Sequence, residues 1–201
     1  MILKADEYLV PAHEHQSELK VKGSRFICTV VPCLTKEDAE KKYARLKKEF
    51  YDATHNCFAW RVDDTLWRYS DDGEPSGTAG RPILQAIDAG NFKEILCVVT
   101  RYFGGTKLGT GGLIRAYGEA ALGTINNVKP FIKTIRVEVH IAFEYALENL
   151  VRKTITEFDG RLVDSNYGEE VQMNLAIPKS LLKEFCTRLI ELSNSAIKVL
   201  S

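Results

Sequence analysis

The stretch Val98-Val-Thr-Arg-Tyr-Phe-Gly-Gly-Thr-Lys-Leu-Gly-Thr-Gly-Gly-Leu-Ile-Arg-Ala-Tyr117 decides how this chain reads. It starts in the apolar run Phe92 to Arg101, which predicts a buried strand through Ile95, Leu96, Val98 and Val99. It ends in a pattern from about Thr110 to Ile125 that predicts a helix burying Leu113, Ile114, Tyr117 and Ala121. Between the two, Gly104, Gly105, Gly109, Gly111 and Gly112 place five glycines in nine residues. A helix start offers unpaired N–H groups and a partial positive charge. Glycines let an oxyanion come close to that backbone, and Arg101, Lys107 and Arg115 add full charges. The expectation is a phosphate cradle to which Thr106 and Thr110 also belong. The bland alternative is a sharp strand-to-helix turn with close helix packing. Neither familiar nucleotide motif fits. Thr110-Gly111 stands where a Walker loop needs Lys and Ser/Thr, and Ile114 stands where the dinucleotide fingerprint needs its last glycine.

Working outward, the preceding motif is Asp71-Asp-Gly-Glu-Pro-Ser-Gly-Thr-Ala-Gly-Arg-Pro82. Its glycines and prolines exclude a regular element at its start, and a helix is expected from near Gly77 to Ala89. Asp71, Asp72 and Glu74, with Ser76, form an acidic motif loop that admits three readings. The carboxylates hold Mg²⁺ or raise one another's pKa; they make turns and a helix cap; or they pair with the basic loop. The turn-and-cap reading is favoured, and no metal site is expected. Ser76 lacks a nucleophile elbow. Cys57 and His55 are two apart on a strand, too far for a direct catalytic pair, and with no second Cys/His pair they read as core rather than zinc ligands. No catalytic residue and no cofactor are assigned.

Composition bounds the rest. The 201 residues carry 27 Lys and Arg against 27 Asp and Glu, which excludes a basic coat of the kind that neutralises many phosphates. Residues 131–201 hold 9 basic and 10 acidic side chains, leaving 18 and 17 for the first 130, so any electrostatic site is a local patch. Of the 14 glycines, 11 lie between Gly73 and Gly123, inside the two motifs and their flanking helices. Neither a signal peptide nor a membrane-length apolar run is found, and the 5 cysteines contain no CxxC, which reads as reduced thiols in a cytoplasmic protein.

The remaining pattern places two domains in an α+β chain. A hairpin is expected over 17–31 around Gly23-Ser24, then a helix at about 36–50 capped by Thr35. That helix has a solvated basic face (Lys41, Lys42, Arg45, Lys47, Lys48), and strands follow at 53–62 and 66–70. Trp60, Trp67 and Tyr69 lie on those strands, as core residues or as platforms for bases. Asn126 to Pro130 marks a boundary, giving domains 1–128 and 129–201. The second reads as strand 131–141, helix 143–158, strands 161–167 and 169–177, a helix from Pro178 to Leu192 and a strand at 196–200. That βαββαβ order is the ferredoxin-like arrangement.

The segments Tyr69–Ile83 and Val98–Tyr117 closely resemble those of the IMPACT family, in its bacterial YigZ-type branch, and the resemblance covers essentially the whole chain. It implies an N-terminal left-handed βαβ domain similar to domain IV of elongation factor G, and a C-terminal domain similar to that factor's domain V. Eukaryotic members act in translational control, restraining a starvation-responsive initiation kinase, and carry a partner-binding domain before the shared one. Here the family-like sequence begins almost at Met1, so that role is not carried over. The expected function is nucleic-acid or ribosome binding in regulation of translation, through the glycine loop with Arg101, Lys107 and Arg115 and with Arg81 and Arg61 nearby. The alternatives are a Mg-nucleotide-dependent phosphotransferase and a regulator that binds only protein.

Overall fold

The apolar run around Ile95 lies at the centre of a sheet, and the first domain is arranged about it. In chain order, strands β1 (Glu7–Pro11), β2 (His15–Val21) and β3 (Ser24–Pro32) lead to helix α1 (Lys36–Glu49). Strands β4 (His55–Arg61) and β5 (Trp67–Ser70) lead to α2 (Gly80–Ala89), and β6 (Ile95–Tyr102) leads to α3 (Gly109–Ile125). Five strands pair in the order β2-β3-β6-β4-β5, every neighbour antiparallel. Because β6 is buried on both faces, it is apolar at nearly every position. Ile95, Cys97 and Val99 join Phe26, Ile83 and Tyr117 in the core under α2 and α3. Leu96 and Val98 point the other way, into the core that Leu46 and Trp60 share with α1. The computed structural model describes residues 3–200.

Local signals explain the elements. Thr35 caps α1 by accepting from the Asp38 amide at 3.1 Å. The basic face of α1 carries exposed and half-buried ion pairs: Lys42 to Asp38 at 2.8 Å, Arg45 to Glu14 at 2.5 Å and Lys47 to Asp72 at 2.8 Å. The β2–β3 hairpin turns on Lys22 and Gly23, with φ of 47° and 83°, one residue earlier than the sequence suggests. Two left-handed residues in succession match the twist of the flanking strands.

The second unit contains β8 (Arg136–Phe143), a 3-10 turn (Tyr145–Leu147) leading into α4 (Glu148–Glu157), β9 (Arg161–Tyr167) and β10 (Val171–Pro178). A second 3-10 turn (Lys179–Leu181) leads into α5 (Leu182–Leu192), and β11 (Lys198–Val199) ends it. Its sheet has the order β11-β8-β10-β9, antiparallel throughout, with α4 and α5 packed on a core of Ile141, Phe143, Val151, Leu175 and Phe185. This is the expected βαββαβ arrangement, and the whole is a mixed α+β chain of two units.

Several expectations need correction, and Ile114, expected on the buried stripe of α3, is instead 44% exposed. The apolar run at 131–141 is two strands, β7 (Pro130–Thr134) and β8, because the backbone leaves one sheet for another at Ile135. There, the Ile135 amide donates to the Asp6 carbonyl at 2.7 Å. Strand β1, which pairs with β7, has no counterpart in the sequence reading. Pro178 closes β10 instead of opening α5, and the buried Asp6 carboxylate accepts from the Ser180 amide at 2.6 Å just ahead of that helix. The compact units are Tyr8–Lys133, and Thr134 onward together with the residues through Glu7, so the division falls beyond the break read at 128. The extra residues are those of β7, which pair back to β1.

Among the described residues no helix is long and apolar enough to cross a membrane. All five cysteines are free thiols, four of them buried. Burial pushes the Cys33 thiol up to about 12 from 9.0, and burial with the hydrogen bond to Glu94 pushes Tyr8 up to about 12 from 10.0. Both protonated forms therefore favour the folded state. The stability they hold is complete below about pH 9 and is lost as pH rises toward 12. Urea midpoints measured across this range should fall with pH, Cys33→Ala should flatten the fall from pH 9, and Tyr8→Phe should flatten it above pH 10. A parent midpoint that stays level from pH 9 to 12 would contradict the assignment.

Candidate functional site

The acidic and glycine motifs meet in one buried cluster within the first unit. Glu74, from the loop before α2, and Arg101, from the end of β6, form an ion pair at 2.6 Å with side chains only 4% and 6% exposed. The same Glu74 oxygen accepts from the Tyr117 hydroxyl of α3 at 2.8 Å. The Arg101 guanidinium carbon lies 5.6 Å from the ring centres of both Phe26 and Phe103. Burial, reinforced by Cys57 and Glu74, drives the Tyr117 hydroxyl far above its usual range, so it remains a donor. Burial likewise pushes the Cys57 thiol up, and its Sγ donates to the Asp71 carbonyl at 3.0 Å, which leaves it no nucleophilic role.

His55 opens β4 beside this pair. Its Nδ1 sits 2.8 Å from the carbonyl oxygen of Asp72. A carbonyl only accepts, so Nδ1 carries a proton toward it. Nε2 is 3.9 Å from Glu74 Oε1, beyond hydrogen-bond reach. Ser24, fully buried at the start of β3, accepts from the Gly104 amide at 3.1 Å, and the Phe103 amide donates to Thr54 Oγ1 at 3.0 Å. These bonds hold the entrance to the glycine loop. A cavity of about 430 Å³ opens between Thr54, His55, Glu74, Arg101, Phe103 and Lys107 and is bounded at the start of α3 by Leu108, Gly109, Thr110 and Leu113. The buried Arg101 Nε–H has no hydrogen-bond partner among the described residues.

The five loop glycines have different reasons to be glycine. A Cβ on Gly104 would lie 1.8 Å from the Gly23 carbonyl carbon, so two backbones touch there. Gly105 and Gly109 have φ of 86° and 71°, which side chains resist. A Cβ on Gly112 would come to 3.0 Å of Leu108 Cβ. Gly111 is helical, exposed, and has nothing within 4 Å of where its Cβ would be. Neither conformation nor packing demands glycine at that position. No side chain caps the start of α3, in contrast to α2.

The structure separates the residues read from the sequence. Asp71 caps α2: its carboxylate accepts from the amides of Gly77, Ala79 and Gly80, each at 2.9 Å. Asp72 accepts from the Asn56 amide at 2.7 Å and from Lys47 at 2.8 Å. With Glu74 engaged by Arg101, the three carboxylates are spent on three different tasks, and among the described residues no group of His, Cys, Asp or Glu is arranged to hold a metal ion. The pairing of acidic with basic loop is thus the reading the structure bears out for Glu74, and capping the one for Asp71. Ser76 is exposed on the loop. Lys107 and Arg115 are exposed, as are Thr106, Thr110 and Arg81, the last in the first turn of α2. Two cations differ from the expectation. Arg101 is neutralised by Glu74 and does not project its charge. Arg61 lies at the far end of β4 from His55, about 20 Å away by strand rise, where it pairs with Asp88 at 2.7 Å. Trp60 is core, whereas Trp67 and Tyr69 are half-exposed and stacked with ring centres 6.3 Å apart. His55, Thr54 and Ser24 carry no site role in the sequence, because strand pairing, not chain proximity, brings them to Arg101; Phe103 stands two residues beyond Arg101 within the glycine motif and carries none there either.

Residues 22–125 match the model of the Impact N-terminal domain, and residues 141–196 match a domain of unknown function, DUF1949. The IMPACT family member YvyE of Bacillus subtilis is 35% identical over 185 residues, covering 91% of this chain and 84% of that protein. The chain belongs to the IMPACT family. The family member YigZ of Escherichia coli is 32% identical over 200 residues, covering 98% of both chains. Protein IMPACT of Rattus norvegicus is 30% identical over 107 residues, a third of that protein's length, at 33%. A crystal structure titled as a hypothetical protein superposes with a TM-score of 0.67 at 32% identity, covering 98% of each chain. In this IMPACT family member the cluster described above lies wholly inside the matched N-terminal domain.

Removing one partner of a buried ion pair costs about 3–5 kcal/mol, whereas replacing both with apolar groups is often close to neutral. Glu74→Ala should therefore lower the unfolding free energy by about that amount. The double variant Glu74→Leu/Arg101→Met should recover most of the loss. Urea titration of the three proteins checks this, and a loss below about 1 kcal/mol in Glu74→Ala, the level of an exposed pair, would deny the pair its structural role.

Proposed function

We propose that this IMPACT family member is a nucleic-acid- or ribosome-binding module that regulates translation, and that the start of α3 is its phosphate cradle. The observation that carries this reading is Gly111. It is an exposed helical glycine in a first turn that no side chain caps, with open space where a Cβ would stand, so the fold leaves that backbone free to meet a ligand. Lys107 precedes it and Arg115 follows one turn later, both exposed and, among the described residues, in no ion pair. A phosphate oxygen at that turn would meet unpaired amides, the positive helix end and a cation together. The left-handed βαβ character of the first unit, and the likeness of the two units to domains IV and V of elongation factor G, belong to this reading. So does a cytoplasmic location. The nucleotide-dependent phosphotransferase gains no support, since the carboxylates it would use are already bonded within the fold.

A cradle of this size contacts few phosphates. With ~4–6 contacts on a single strand, affinity should fall roughly 50- to 300-fold between 50 and 200 mM salt. Titration of structured RNA, single-stranded RNA and ribosomal subunits at the two salts tests the reading. Gly111→Ala should leave the fold intact or stabilise it by up to ~1 kcal/mol, since alanine is the better helix former, yet weaken binding. Lys107→Glu/Arg115→Glu should weaken it further. Binding that is absent with all three ligands, or unmoved by either variant, refutes the cradle.

A further inference from the structure

The cavity beneath the cradle has two chemically different ends. Its rim, Lys107 and the α3 start, carries positive charge with no internal partner. Its floor is the Glu74–Arg101 pair, whose charges cancel at 2.6 Å. An anion finds nothing to gain at that floor, because the carboxylate repels it and the guanidinium is already paired. What the floor offers is hydrogen bonding to a neutral group. His55 lines that end, its Nδ1 bonded to the Asp72 carbonyl and its Nε2 left beyond hydrogen-bond reach of Glu74 Oε1 at 3.9 Å. Between floor and rim the walls are apolar: Phe103, 48% exposed, with Leu108 and Leu113. The matching ligand is planar and apolar on its faces, polar but neutral at its inner edge, and anionic at its outer end. A nucleotide has that construction.

We propose that this cavity takes one unstacked nucleotide, its base inserted along Phe103 toward Arg101 and His55 and its phosphate left at Lys107 and the bare first turn of α3. The proposal rests on the cradle reading and adds to it a preference for single strands. A volume of about 430 Å³ admits one nucleotide, and a base held in a duplex stack cannot enter a concave site without leaving its partner. Arg101 and Glu74 are specificity-determining here, with no catalytic part.

The test compares four probes against the full chain by anisotropy competition: a ten-residue single-stranded RNA, the same strand in a duplex, an abasic ribose-phosphate oligomer of equal length, and a nucleoside monophosphate. The single strand should bind about tenfold or more tighter than the duplex and the abasic oligomer, in line with the stacking of one base on an aromatic side chain. Phe103→Ala should abolish that difference and Phe103→Trp should keep it, with thermal melts confirming that both exposed-site variants fold. Single strand, duplex and abasic oligomer binding equally, with Phe103→Ala without effect, would overturn base insertion while leaving the cradle standing. Binding by none of the four would overturn base insertion, and the cradle falls with it when structured RNA and ribosomal subunits also fail to bind. The monophosphate binding as tightly as the strand would support the cavity's chemistry and identify a free nucleotide as its source.

Discussion

The contact between Glu74 and Arg101 is the constraint around which the first domain is organised. Two charges are taken out of water, and that is tolerable only because they meet each other. Glu74 accepts from Arg101 and Tyr117, and Arg101 lies against Phe26 and Phe103. The pair joins three separate pieces of chain: the loop before α2, the end of β6 and the middle of α3. Once these are joined, the route from β6 into α3 has little freedom. The loop must double back over the β2–β3 hairpin, and it does so where Gly104 meets Gly23 backbone to backbone. The buried pair contributes to a defined geometry more than to net stability, and the geometry it defines is the mouth of the cavity.

That geometry leaves two helix starts in opposite conditions. The first amides of α2 are satisfied from within by Asp71, which reaches them from the far end of its own loop. The start of α3 has no such side chain and is paved instead with glycine. An uncapped helix end on a surface is normally hydrated. Here it stands beside an exposed lysine and above a cavity with a neutral polar floor, so the same backbone feature gains a ligand-binding reading from its neighbours.

Much of this was visible in the linear sequence. The doubly buried β6 announced itself as a continuous apolar run, α1 by its cap and stripe, and the second unit by regular alternation of strand and helix patterns. Those signals are local, since each depends on residues within one or two turns of one another. The two motif loops were also legible, including the possibility that acidic and basic loop pair. What failed to show were long-range consequences. The run at 131–141 hides a change of sheet at Ile135 because an apolar strand looks the same in either sheet. Strand β1 is too short and mixed to declare itself without β7. Arg101 and Arg61 resembled Lys107 as cations, yet pairing with Glu74 and Asp88 removed them from the display.

The sequence by itself therefore determined the two α+β units, the strand-to-helix glycine turn and the residue types gathered there. Tertiary structure alone decided which charges cancel, which of the loop glycines is free of structural duty, and that His55 shares one cavity with Arg101. The physical reason is that periodicity and turn chemistry act within a few residues along the chain. Charge neutralisation and cavity formation depend on groups brought within a few ångströms by strand pairing, across separations that no local pattern records.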